Sequence, residues 1–163
     1  MSWPAHLGAI LMALLVQMTL VPGIGPGGGR PDLVLIWVLA ASIFESKMGR
    51  ALAVAAAGGL LLDLTGGRFI GLNVMLLVGA ALVTRRVLRA FLRPSVAISV
   101  AMTLGLALVI ELVRGVMWLP AVPRDILGAM SIAVVSAVYS GSIMVPVYYV
   151  AAAVMRFTHW EDS

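Results

Sequence analysis

The chain alternates apolar runs with short polar or glycine-rich breaks, and the runs lack the two-residue alternation of barrel strands. The pattern predicts six helices, at about 5–22, 31–47, 50–65, 70–84, 95–119 and 125–155. In the first, Ala9 and Ala13 lie four apart and form a face on which another helix can come close. Gln17 sits inside that apolar run and needs a partner on a neighbouring helix or backbone. Pro22 to Gly29 is loop.

Arg30-Pro31-Asp32 opens the second helix. Pro31 suits a first helical turn, and Asp32 there faces the positive end of the helix dipole, so Asp32 reads first as an N-terminal cap. The apolar run Leu33 to Phe44 covers only about 18 Å, against a hydrocarbon core of about 30 Å. Such a helix borrows its flanks, Pro31 and Glu45 to Met48, or the bilayer thins around it. After the polar turn Glu45 to Arg50, the third helix carries Ala51, Ala55, Gly59 and Asp63 on one stripe, flat until the carboxylate. That places Asp63 in a helix–helix interface. Gly66-Gly67 ends the helix, Arg68 and Gly71 lie in or near the turn, and Asn73 is in the first turn of the fourth.

A basic loop, Arg85, Arg86, Arg89 and Arg93, closes at Pro94. It either touches anionic lipid or acts only as a determinant of topology. The fifth helix has a second four-spaced stripe, Ser95, Ser99, Thr103, Ala107 and Glu111, with Arg114 one turn further. The last run, Ile126 to Met155, is about 45 Å long, and Pro146 is expected to kink it. Its small residues Ala129, Ala133, Ala137 and Gly141 form a further stripe.

Composition fixes the class. Of 163 residues, 62% are hydrophobic and 11% charged, with mean hydropathy +1.10. Soluble domains carry about 25% charged residues, so the reading is an all-α integral membrane protein, one domain over 1–163. No cleavable signal peptide is evident, and the first run reads as a retained helix. Even loops and termini carry Lys47, Arg50, Arg85, Arg86, Arg89, Arg93 and Arg156; odd loops carry Arg30, Arg68 and Arg124. By the positive-inside rule both termini are cytoplasmic, and Asp32, Asp63, Asn73, Glu111 and Arg114 lie toward the outer side.

Catalytic chemistry finds little purchase. Cysteine is absent, and His6 and His159, the only histidines, sit at cytoplasmic ends. No zinc-protease motif occurs, and Ser140-Gly-Ser142 has no histidine at its depth, so its serines read as bonding their own helix. No cofactor, metal or nucleic-acid partner is expected. Asp63, Glu111 and Arg114 fall within about 8 Å of one another in depth. The expectation is a buried triad with Arg114 bridging the two acids; the competing reading has Arg114 snorkelling to the headgroups.

Arg30-Pro31-Asp32-Leu33, then Gly58-Gly59-Leu-Leu-Leu-Asp63-Leu-Thr-Gly66, then Gly71-Leu-Asn73, resembles the MreD family of rod-shape-determining proteins. The resemblance covers most of the first half of the chain. It implies a non-enzymatic scaffold of the bacterial cell-elongation complex in the inner membrane. Its direct partner would be MreC, with MreB, RodA and the RodA transpeptidase more distant. It also implies a six-helix fold similar to the substrate-binding subunits of energy-coupling-factor vitamin transporters. Such a subunit is the alternative function, with Ala9 and Ala13 docking the transporter and the outward polar cluster holding a ligand. On the scaffold reading, Ala9/Ala13 or the Ala129–Gly141 stripe is expected to receive the transmembrane helix of MreC.

Overall fold

The computed structural model describes residues 3–19, 30–45, 47–66, 70–90, 95–118 and 126–158. The glycine loop, Arg68, Arg93, Pro94, Arg124 and His159 lie outside the described residues. Those described form six helices and no strand: α1 (Trp3–Thr19), α2 (Leu33–Phe44), α3 (Met48–Gly66), α4 (Leu72–Ala90), α5 (Val96–Trp118) and α6 (Ile126–Thr158). Three contain stretches long and apolar enough to cross a membrane: Met48–Thr65, Val96–Met117 and Ile126–Ala153. Pro4–Thr19 and Leu33–Phe44 are apolar but shorter.

The ends of two helices change the sequence reading. The second helix borrows neither flank. Asp32 caps it at one end, and Glu45 turns to extended backbone (φ −74°, ψ 127°) at the other. The fourth helix continues past Thr84, so Arg85, Arg86 and Arg89 belong to its last turns rather than to a loop. Arginine is a good helix former, and cations suit the negative end of the helix dipole.

The shortness of α2 is explained by its position. Its sequence LVLIWVLAASIF is apolar all round, and eight of its 12 residues, from Val34 to Ser42, are buried. A helix without a polar face has no side to give to water. Accordingly α2 lies at the centre and touches each of the other five helices. Sheathed in this way, its length need not match a bilayer. Around it stand two hairpins, α3 with α4 and α5 with α6.

Each hairpin is drawn together by a glycine. A Cβ placed on Gly59 would lie 2.5 Å from the Cα of Val74 on α4, and one on Gly141 would lie 2.7 Å from the Leu104 side chain on α5. The predicted α3 stripe is internal, with Ala51, Ala55, Gly59 and Asp63 all buried. So are Ser99, Thr103 and Ala107 of α5. The α6 stripe is a correction. Ala133, Ala137 and Gly141 are buried inside the protein, so this face is not free to receive a partner helix. The reason is the pairing of α6 with α5, in which Gly141 meets Leu104. Large apolar side chains instead point outward, among them Leu64, Met75, Leu127 and Tyr149.

Candidate functional site: a polar network linking six helices

The first turn of a helix leaves backbone N–H groups without intrahelical partners. Around the start of α2, four side chains accept from such groups and from the N–H groups just before them. The Asp32 Oδ1 accepts from the Leu35 N–H at 3.0 Å, the ordinary N-cap bond. The Leu33 N–H donates to Gln17 Oε1 of α1 at 3.1 Å. On the α6 side, the Asp32 N–H donates to Ser140 Oγ at 3.1 Å and the Arg30 N–H to Ser136 Oγ at 2.9 Å. Pro31 has no N–H to satisfy. Gln17 thus finds the partner its burial required. Of the two serines in the Ser140-Gly-Ser142 segment, only Ser142 shows the back-bond to its own helix, to the Val138 carbonyl.

The second oxygen of Asp32 does different work. Its Oδ2 accepts from Arg114 Nη1 at 2.8 Å, and the same Nη1 donates to Glu111 Oε1 at 3.1 Å, one turn back on α5. The other edge of the guanidinium faces α4. Nε and Nη2 both donate to Asn73 Oδ1, at 3.0 and 2.6 Å. Arg114 therefore joins α2, α4 and α5 through one planar fork, a geometry that lysine cannot supply. Its side chain is 20% exposed, so it turns into the network rather than out toward a surface.

Asp63 is not the second acid of this cluster, contrary to the triad expected from depth alone. Its carboxylate is taken up by the start of α4. The N–H groups of Gly71 (2.8 Å), Asn73 (3.1 Å) and Val74 (3.4 Å) donate to it, as does Asn73 Nδ2 (2.9 Å). It works as an N-cap supplied from another helix, an anion at the positive end of α4. Asn73 is the relay: its amide nitrogen serves Asp63 and its oxygen serves Arg114. Gly66 closes α3, and Gly71 has φ +99°, a conformation that side chains disfavour. Ala9 and Ala13 take no part; both are half-buried on α1, with Ala13 against the core.

Gly71 allows a clean comparison. A Cβ there would touch nothing within 4 Å, so the penalty for Gly71→Ala is purely conformational. It should cost about 1–2 kcal/mol. Gly79→Ala, equally open but inside α4, should be neutral or stabilise by up to about 1 kcal/mol. Thermal unfolding of both variants in detergent should show shifts of opposite sign; equal shifts would refute the turn geometry.

At the opposite end a second cluster appears that the sequence reading missed. His6 of α1 and Glu45, both buried, meet at 3.3 Å between Nε2 and Oε2. Arg50 Nη1 is 3.7 Å from Glu45 Oε1, and Arg85 Nη2 donates to the Glu45 carbonyl. Burial alone would raise the Glu45 carboxyl, but the bonds from His6 and the Lys47 backbone, with the charge of Arg50, hold it below the usual range. Beside the pair lies a cavity of about 20 Å³ walled largely by Trp37, Ala40, Ala41, Phe44 and Ala151, water-sized by volume. The available signal was topological: His6 and Glu45 both end helices on the side assigned to the cytoplasm.

Among the described residues no group of three or more His, Cys, Asp or Glu is arranged to hold a metal ion. The network at the α2 end is made of groups bonded to one another, and its chemistry is that of a fastener. No protein family model, curated protein or solved structure matches this chain.

Proposed function

We propose that the chain is a non-enzymatic membrane scaffold of the MreD kind. On this reading all six helices cross the bacterial inner membrane with both termini cytoplasmic. The protein binds MreC and, through it, works with MreB, RodA and the RodA transpeptidase in cell elongation. The observation that carries the reading is where the motif residues lie. Asp32, Gly59, Asp63, Gly71 and Asn73 stand at the joints between helices, and their polar atoms are engaged in holding α2, α3, α4 and α5 together. A fixed bundle is what a scaffold must present. Since the α6 stripe is internal, α1 is the proposed docking helix: beside Ala9 and Ala13 it exposes Leu11, Met12, Leu15 and Met18.

The test is affinity purification of the tagged chain from native membranes, with identification of co-purifying proteins and small molecules. MreC should be recovered with the wild type, and recovery should fall when Ala9 and Ala13 are both replaced by Leu. A stoichiometric vitamin with an ATPase module, and no MreC, would overturn the proposal in favour of the transporter-subunit reading. Undiminished MreC recovery by the double variant would remove α1 as the docking face.

A further inference from the structure

The two ends of the bundle treat their cations differently. At the α2 N-terminal end, Arg114 is matched by Asp32, Glu111 and Asn73. At the other end, Arg50 and Arg85 reach Glu45 and Arg89 reaches Met48, with Lys47 and Arg86 in the same two segments, 45–50 and 85–90, where Glu45 is the one carboxylate. The segments are pinned together by Arg85 on the Glu45 carbonyl and by Arg89 Nη2 on Met48 Sδ at 3.7 Å. A thioether is a weak acceptor for a guanidinium that carries five donors.

Three further features specify what this corner would take. Lys47, Arg50, Arg86 and Arg89 are exposed. The corner sits at the start of the candidate span Met48–Thr65, and so at the surface of any membrane that this helix crosses. The first turn of α3 has no acidic residue, and Gly49 offers open backbone there, with nothing within 4 Å of where a Cβ would stand. A helix N-terminus carries partial positive charge, which adds to the side-chain cations.

We propose that this corner binds the phosphate of an anionic phospholipid headgroup, held between Arg89 and the start of α3 with Lys47 and Arg50 beside it. The inference does not depend on the scaffold reading. The acyl chains of such a lipid would lie along the outward apolar side chains near the corner, of which Met48 is one. The cations thus attract the headgroup, and the apolar wall selects a lipid over a free anion.

The experiment uses the full chain purified in detergent and titrated with phosphatidylglycerol or phosphatidylcholine. Retained lipid is read by native mass spectrometry and thermal stability by intrinsic fluorescence. Phosphatidylglycerol should be retained preferentially and should raise the melting temperature. Lys47→Gln with Arg89→Gln should weaken its retention by roughly thirtyfold, whereas Arg30→Gln, an exposed arginine at the opposite end, should leave it unchanged. Inorganic phosphate should neither displace the lipid nor stabilise the protein. Equal retention of the two lipids by the parent chain would overturn the proposal whatever the variants do. So would an equal loss in Arg30→Gln, which would mean attraction by bulk charge, or full displacement by inorganic phosphate, which would mean a simple anion site.

Discussion

Arg114→Ala should lose most of the folded protein. Asp32 is 3% exposed and its carboxylate takes its counter-charge from Arg114, and Asn73 Oδ1 receives two bonds from the same guanidinium. Removing one partner of a buried pair leaves the other charge uncompensated, at a cost of about 3–5 kcal/mol. Whole domains are stable by only about 5–15 kcal/mol. The rescue is specific. Asp32→Asn combined with Glu111→Gln removes both stranded charges, and asparagine still caps a helix well. That pair of changes should restore much of the folded fraction in the Arg114→Ala background, as measured by size-exclusion profile and melting temperature in detergent. Asp63→Asn in the same background should restore nothing, because Asp63 answers to the start of α4. Rescue by Asp63→Asn instead, or a harmless Arg114→Ala, would refute the network.

How that partner was mistaken shows what sequence carries for a helical bundle. Spacing along one helix is readable. The four-residue stripes correctly brought Ala55, Gly59 and Asp63 inward on α3, and Ser99, Thr103 and Ala107 inward on α5. Depth is readable too, at about 1.5 Å per residue, and it put Asp63, Glu111 and Arg114 at one level. The order of helices around the bundle is not encoded in either quantity. In the structure α3 packs on α1, α2 and α4, and not on α5. Asp63 therefore stands one residue beyond Arg114's reach, with Asn73 between them. Asp32, read as a cap, has two oxygens, and capping used only one. The pairs Asp32 with Ser140 and His6 with Glu45 lie 108 and 39 residues apart and needed the tertiary arrangement to appear.

Among the glycines at helix contacts, Gly59 should tolerate a methyl group least. The Cβ of Gly59→Ala would meet Val74 Cα at 2.5 Å, Val74 N at 2.6 Å and the Asn73 carbonyl carbon at 2.8 Å, all of them backbone. Backbone atoms have no rotamer to escape into, so α3 and α4 must move apart. Asp63 is one helical turn along, and separation at Gly59 also pulls the N–H groups of Asn73 and Val74 from its carboxylate. Overpacking a core costs about 1–3 kcal/mol, and the weakened cap puts the total at or above about 3 kcal/mol. The other two contacts are softer. At Gly141 the obstacle, 2.7 Å away, is the Leu104 side chain, and at Gly58 it is one methyl of Val34 at 3.0 Å. Melting temperatures of the three alanine variants should therefore fall in the order Gly59, then Gly141, then Gly58, with Gly59→Ala far below the others. A Gly59→Ala protein as stable as Gly58→Ala would mean that the α3–α4 hairpin is not packed backbone to backbone, and the placement of Asp63 over the start of α4 would fall with it.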